Sequence, residues 1–274
     1  LTSNPIWYAL QALPYLMEYP YECAEQTFSR YYANKIASFV ANSNPKIQQV
    51  FEAWKSSDAL LSNLEKNQEL KSLIIQETPW LRDAQSESEQ KKRIALLFDL
   101  NKMTNEQEKA ISKLKDLQLN SGGFSWFKGS DSPSIFITQH IATGFGHLQK
   151  LGVTNLDSST KSMIQKAITF LDNELLVTYH KLLEKAKIKS QQQKNIKKEK
   201  QHFDDYLANN NLNYYIIQYL YMRSFFNEIA MNNELKSAVS YYQNQTIHYW
   251  SEFNFLPNAF FRISWYAKTY PRLS

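Results

Sequence analysis

Six glycines in 274 residues leave this chain few places where its backbone can reverse sharply. A sandwich or barrel of short antiparallel strands needs a turn about every 8–12 residues, and glycine supplies many of them. Two of the six are spent together, at Gly122 and Gly123, which makes such an architecture harder still. Apolar residues recur instead at three- and four-residue steps, the period of a helix with one buried face. The chain is 43% hydrophobic, enough for one substantial core at this length. The expected fold class is all-α.

Helix signals divide the chain. Asn4-Pro5 opens a first helix with proline at its first position, and Ile6, Trp7, Leu10, Leu13 and Leu16 mark its apolar face. A second runs from Ala24 to about Val40, and Asn44-Pro45 opens a third through Val50, Phe51 and Trp54. Shorter ones are expected over Asp58–Lys66, Asn67–Gln76, Glu87–Asn101 and Asn105–Leu119. Further helices follow at Ser134–Leu151, Asp157–Lys189, Phe203–Asn227, Asn232–Trp250 and Asn258–Thr269. Antiparallel pairs joined by short loops point to a bundle or an α/α toroid. The clearest loop is Asn120-Ser121-Gly122-Gly123-Phe124-Ser125-Trp126, whose glycines permit a tight turn and whose Phe124 and Trp126 are expected to plug the hub.

Cys23 is the single cysteine, and Gln26 lies three residues after it. With Ala24 onward helical, the two side chains share a face. That spacing permits an internal thioester, in which the Cys23 sulfur is acylated by the Gln26 side-chain carbonyl. A helix N-terminus lowers a cysteine's pKa and so favours the attacking thiolate. A carboxamide is a poor acyl donor, so the fold must hold the pair in near-attack geometry and keep water out afterwards. Tyr15, Tyr19, Tyr21, Phe28, Tyr31 and Tyr32 crowd the segment and offer that cover. Without the bond, Cys23 is a buried thiol in an ordinary helical domain.

Cys23-Ala24-Glu25-Gln26 resembles the Cys-x-Glu-Gln thioester motif of the α2-macroglobulin and complement family. By composition, under roughly one cysteine in a hundred is followed by x-Glu-Gln. The flanks Tyr19-Pro20-Tyr21 and Thr27-Phe28-Ser29-Arg30 are similar to the bacterial α2-macroglobulin form. So are Tyr219-Leu220-Tyr221-Met222-Arg223-Ser224-Phe225-Phe226 and Trp250-Ser251-Glu252-Phe253-Asn254-Phe255-Leu256, so that the likeness covers most of the chain. Gln118 with Gly122-Gly123-Phe124 resembles a turn found in α/α toroids generally, terpene cyclases and prenyltransferases included. The family often has glycine before the cysteine, and this chain has Glu22, whose Cβ restricts the backbone and whose carboxylate disfavours a thiolate.

The resemblance implies one thioester domain over residues 1–274, an α/α toroid that stops before its last helix, cut from a longer protein. It implies a protease trap: a bait segment elsewhere is cleaved, and the exposed thioester acylates a lysine of the protease. Cys23 is then the leaving group and Gln26 the acyl donor, with Tyr21, Glu22 and Glu25 supporting the motif. The partners implied are target proteases and neighbouring domains of the same protein, in the periplasm or at the cell surface, with a membrane anchor outside this domain. It is an inhibitor without turnover, with no cofactor. The competing readings are a toroid interaction module with a buried thiol, and a toroid enzyme acting on a small hydrophobic substrate.

Other signals read as ordinary surface. Lys181 to Lys200 holds eight lysines against Glu184 and Glu199, within a net charge of +5. It contains no aromatic residue for base stacking, so residues 185–202 are expected to form an exposed Lys/Gln-rich insertion and not a nucleic-acid site. His140, His147, His180, His202 and His248 show no metal-ligand spacing. Complement proteins that acylate hydroxyls use a histidine near the thioester; His140 reads here as a packing or surface residue, which leaves amines as the favoured nucleophiles. Asp204-Asp205 is an isolated pair, unlike the acidic motifs of a terpene cyclase.

Overall fold

The computed structural model describes residues 23–43, 49, 100–153, 155–192 and 198–253. Seven α-helices occupy them: α1 Ala24–Ser43, α2 Leu100–Leu117, α3 Ile135–Lys150, α4 Ser158–Gln191, α5 Glu199–Ala208, α6 Tyr214–Arg223 and α7 Asn233–Tyr249. A single 3-10 turn, Trp250–Glu252, follows α7. Among the described residues there is no strand, only one isolated antiparallel bridge between Gln118 and Phe124. The chain is all-α, as its glycine supply and periodicity require. Tyr21, Glu22, Tyr15 and Tyr19, the segments 58–66 and 67–76, most of 87–101, and the helices expected at Asn4-Pro5, beyond Asn44-Pro45 and at Asn258–Thr269 lie outside the described residues, Gln49 alone excepted.

Two compact units share the chain, Leu1–Leu114 and Lys115–Ser274, with the boundary inside α2. In the first unit α1 and α2 are joined by Gln107, whose side-chain amide donates to the Asn34 carbonyl at 3.2 Å. Ala24, Phe28, Tyr31, Asn34 and Ala37 bury one face of α1. These positions recur at three- and four-residue steps, the stripe that drives an amphipathic helix onto its core.

The second unit starts from the Gly-Gly turn. Gln118 sends its side-chain amide to the carbonyl of Gly122 at 2.9 Å and to that of Met163 at 2.8 Å, pinning the turn to α4. Gly122 has φ +93°, and a Cβ there would stand 2.3 Å from the Lys166 carbonyl oxygen. Phe124 is fully buried, its N–H donating to Thr138 Oγ1 at 2.9 Å. Trp126 departs from expectation: it is 41% exposed and stacks on Phe136 with centroids 6.0 Å apart. The Ser125 hydroxyl between them bonds the carbonyls of Leu117 and Phe127, a local lock that sends one aromatic inward and the other out.

α3 and α6 run in the same direction. Gln139 donates to the Tyr215 carbonyl at 2.8 Å, and further along both helices His147 Nε2 meets the Tyr221 hydroxyl at 2.8 Å. Gly146 lets the helices close, since a Cβ there would lie 2.6 Å from the Phe225 side chain. Ile137, Ile141, Phe145 and Leu148 of α3, Ile168 and Leu171 of α4, and Ile217 and Met222 of α6 form the core between them. Each such side chain stabilises the fold by about 1.5–3 kcal/mol through burial.

The helix expected over Phe203–Asn227 is two helices. Asn211 binds the Leu207 and Asn209 carbonyls and the Tyr241 hydroxyl, while the Asn213 side chain accepts from Ile216 N–H at 3.0 Å and caps α6. Side chains that compete this well for backbone partners end a helix and start another. α4 has 34 residues, about 51 Å of helix, and beyond Leu175 it buries only Ala186 and Ser190. It pairs there with α5, which buries nothing. Lys181, Lys185, Lys187, Lys189, Lys198 and Lys200 are exposed on this helical hairpin.

Candidate functional site

Cys23 immediately precedes α1, and its carbonyl accepts the N–H of Thr27 at 2.9 Å, the first bond of the helix. It therefore occupies the N-cap position, with Ala24, Glu25 and Gln26 in the first turn. A side chain at the N-cap and one three residues later meet across a helix start. This is the register of the capping box, in which a Ser or Thr at the N-cap faces a Glu or Gln. Cys23 and Gln26 fill those two positions with a sulfur and a carboxamide. The thiol is buried at 9% exposure and is not in a disulfide.

Gln26 is partly exposed, yet its side-chain oxygen is buried and accepts no hydrogen bond. An unmet buried carbonyl costs about 1–3 kcal/mol. Thr27 repeats the pattern: it is fully buried and its hydroxyl has no partner. Three polar groups thus share one face of the first turn without satisfying one another. Glu25 sits in the same turn, where a negative charge favours the helix dipole, and accepts the Ser29 hydroxyl at 3.1 Å.

Aromatic rings lie along the next turn. Phe28 and Tyr31 are buried, with centroids 6.2 Å apart, and Tyr32 is 6.0 Å from Phe28. Burial holds the Tyr32 phenol above its usual pKa. Tyr21 and Glu22, expected to support the motif, lie outside the described residues.

The remaining candidates fall in the second unit. His140 is half-buried on α3. His147, about two turns further along α3, packs edge-on against Phe225 at 5.1 Å and Tyr221 at 5.8 Å. Burial first, and then the charge of His140, lowers its pKa. Asp204 and Asp205 are exposed on α5. Among the described residues no group of three or more His, Cys, Asp or Glu is placed to hold a metal ion, and no helix is long and apolar enough to cross a membrane.

Reasoning from sequence singled out the cysteine and glutamine but passed over Thr27. Its signal is available in the sequence, a hydroxyl four residues after the cysteine, but only burial without a partner separates it from any other helical threonine. No family model, no curated protein and no solved structure matches the chain.

Proposed function

We propose that this chain is the thioester-bearing domain of a protease-trapping inhibitor of the α2-macroglobulin type. The observation that carries the reading is the register at the start of α1. Cys23 at the N-cap and Gln26 in the first turn share one face, and the Gln26 oxygen is buried without a donor. Cys23 attacks the Gln26 carboxamide carbon; the S–C bond forms, the C–N bond breaks, and ammonia leaves with the thiol proton. An amine of the target then attacks the same carbon and releases the Cys23 thiol. The acceptor class is primary amines, the lysines of an attacking protease, and the domain does not turn over.

Support for an α/α toroid comes from the parallel α3 and α6, from the return of the chain through α4 between them, and from the buried Gln118–Gly122–Phe124 turn. The resemblance at residues 19–30 supports a setting among further domains of a longer, membrane-anchored protein at the cell surface or in the periplasm. The exposed lysines of the α4–α5 hairpin are a solvated surface in this reading.

Intact mass and thiol titration of the full-length protein test it. The expected result is a mass short by one ammonia, no titratable thiol, and release of the thiol by methylamine with label on Gln26. A free Cys23 thiol beside an unmodified Gln26 in freshly purified protein sinks the proposal. It leaves the interaction module, which the buried unpaired cysteine also fits.

A further inference from the structure

Thr27 is 0% exposed, and its hydroxyl has no hydrogen-bond partner. A buried helical threonine has an easy remedy, the carbonyl four residues back. Buried Thr138 takes it, bonding Ser134 O at 2.7 Å, as do exposed Thr169 with Gln165 O at 3.0 Å and half-buried Thr178 with Glu174 O at 2.9 Å. Thr143, at 9% exposure on α3, shares the unmet hydroxyl of Thr27 but has no cysteine one turn before it. The carbonyl four residues before Thr27 is that of Cys23, which takes the Thr27 N–H and not its hydroxyl. A buried hydroxyl left unmet is costly, and native proteins keep few of them.

The register says what this hydroxyl faces. Cα–Cβ bonds tilt toward a helix's N-terminus, so Thr27 leans over the turn that opens with Cys23. Residues four apart are neighbours on a helix and adjacent residues are not, so Thr27 addresses the Cys23 sulfur more directly than Gln26. Threonine also has two accessible χ1 wells in a helix, which gives its hydroxyl a second direction to point.

Resting on the Cys23–Gln26 reading, we infer that Thr27 Oγ1 donates a hydrogen bond to Cys23 Sγ whenever that sulfur carries negative charge. The charge arises twice. When the thioester forms, the Cys23 thiolate attacks Gln26 Cδ, and ammonia leaves carrying the proton the thiol gave up. On capture, an amine nitrogen bonds to Cδ, the C–S bond breaks with its electron pair on sulfur, and the proton lost by the amine ends on the thiol. A donor to sulfur lowers the capture barrier by stabilising the leaving thiolate. In thioester formation it raises the thiolate fraction at neutral pH by more than it blunts the nucleophile, and no redox partner is needed.

The test uses the full-length protein with Thr27→Val and Thr27→Ser, and Thr27→Ala in place of the valine variant should circular dichroism show that it does not fold. Methylamine cleavage is followed by thiol release, and the pKa of the freed thiol by thiolate absorbance against pH. Thr27→Val is expected to slow cleavage about tenfold and to raise the thiol pKa by about one unit, while Thr27→Ser keeps both wild-type values. A valine variant with wild-type rate and wild-type thiol pKa overturns the inference. If the wild type carries no thioester, the reading beneath falls separately. The thiol pKa of wild type and Thr27→Val then decides the Thr27–Cys23 contact alone, equal values overturning it.

Discussion

Arg223 donates through Nε to Asp172 Oδ1 at 3.1 Å, with only 3% of the arginine side chain and 12% of the aspartate side chain exposed. Tyr219 adds its hydroxyl to the same oxygen at 2.6 Å. The other guanidinium nitrogens bind the carbonyls of Phe226 and Ile229, so one side chain ties α4, α6 and the turn after α6 together. Burial raises the Asp172 pKa, against the pull of Tyr219 and Arg223.

Arg223→Met strands that carboxylate in the core. The expected loss is about 3–5 kcal/mol at neutral pH, measured by urea unfolding. Removing the cation pushes the folded-state pKa of Asp172 further above its unfolded value, so the protonated form is the one the fold tolerates. The variant's deficit should therefore shrink as pH falls through that raised pKa. A deficit that stays constant from neutral to acid pH contradicts this account.

His147 makes an opposite contribution. Its pKa is lowered in the folded state, mainly by burial, so the unfolded chain binds the proton more readily. The stability it contributes is present above its ordinary value of about 6.5 and is lost as pH falls through the lowered one. Thermal melts of wild type should decline over that window, and His147→Phe should flatten the decline. A variant curve parallel to wild type removes His147 from the explanation.

Gly122 and Gly129 both have positive φ, at +93° and +84°, but only Gly122 is hemmed in. A methyl group at Gly122 meets the Lys166 carbonyl oxygen at 2.3 Å, while one at Gly129 meets nothing within 4 Å. Gly122→Ala should therefore cost about 1–3 kcal/mol more than Gly129→Ala. Equal losses mean that conformational strain, which both share, is the whole effect.

Asp157 caps α4, accepting the Thr160 N–H at 2.6 Å. That bond is the first cause of its lowered pKa. Asp157→Ala should cost about 1 kcal/mol at neutral pH. Because a lowered carboxyl pKa gives stability present above the unfolded value and lost below the folded one, the cost should fade under strongly acid conditions. Unfolding curves that give the same cost at both extremes rule out the carboxylate as the cap.

Amide exchange should separate the body from the arm. α5 buries no residue, whereas most of α3 and α6 is buried. Exchange through local opening is expected to be fastest in α5 and slowest in α3 and α6. Equal protection across them would mean that the hairpin is held by something beyond its own pairing.

Local chemistry was legible where a side chain marks a boundary within a few residues of itself. Ser134, Asp157 and Asn232 start α3, α4 and α7, and each accepts the backbone N–H three residues on. The break after Ala208 was missed because the apolar pattern continues through Tyr206, Leu207 and Leu212. Asn209, Asn210, Asn211 and Asn213 were the available warning, and their competition for backbone partners decides the matter. Trp126 was misjudged for a related reason: two aromatics near one turn look alike in sequence, and a serine between them sends only Phe124 into the core.

By itself the sequence determined the helical class, the starts of α1, α3, α4 and α7, and the shared face of Cys23 and Gln26, because these depend on a backbone period and on neighbours within one turn. Tertiary structure alone decided which groups are buried without partners and which distant pairs meet. Asp172 and Arg223 are 51 residues apart, and His147 and Tyr221 are 74 apart. No local preference encodes such pairs: they form when helices close-pack, and close packing removes the water that would otherwise satisfy Gln26 and Thr27.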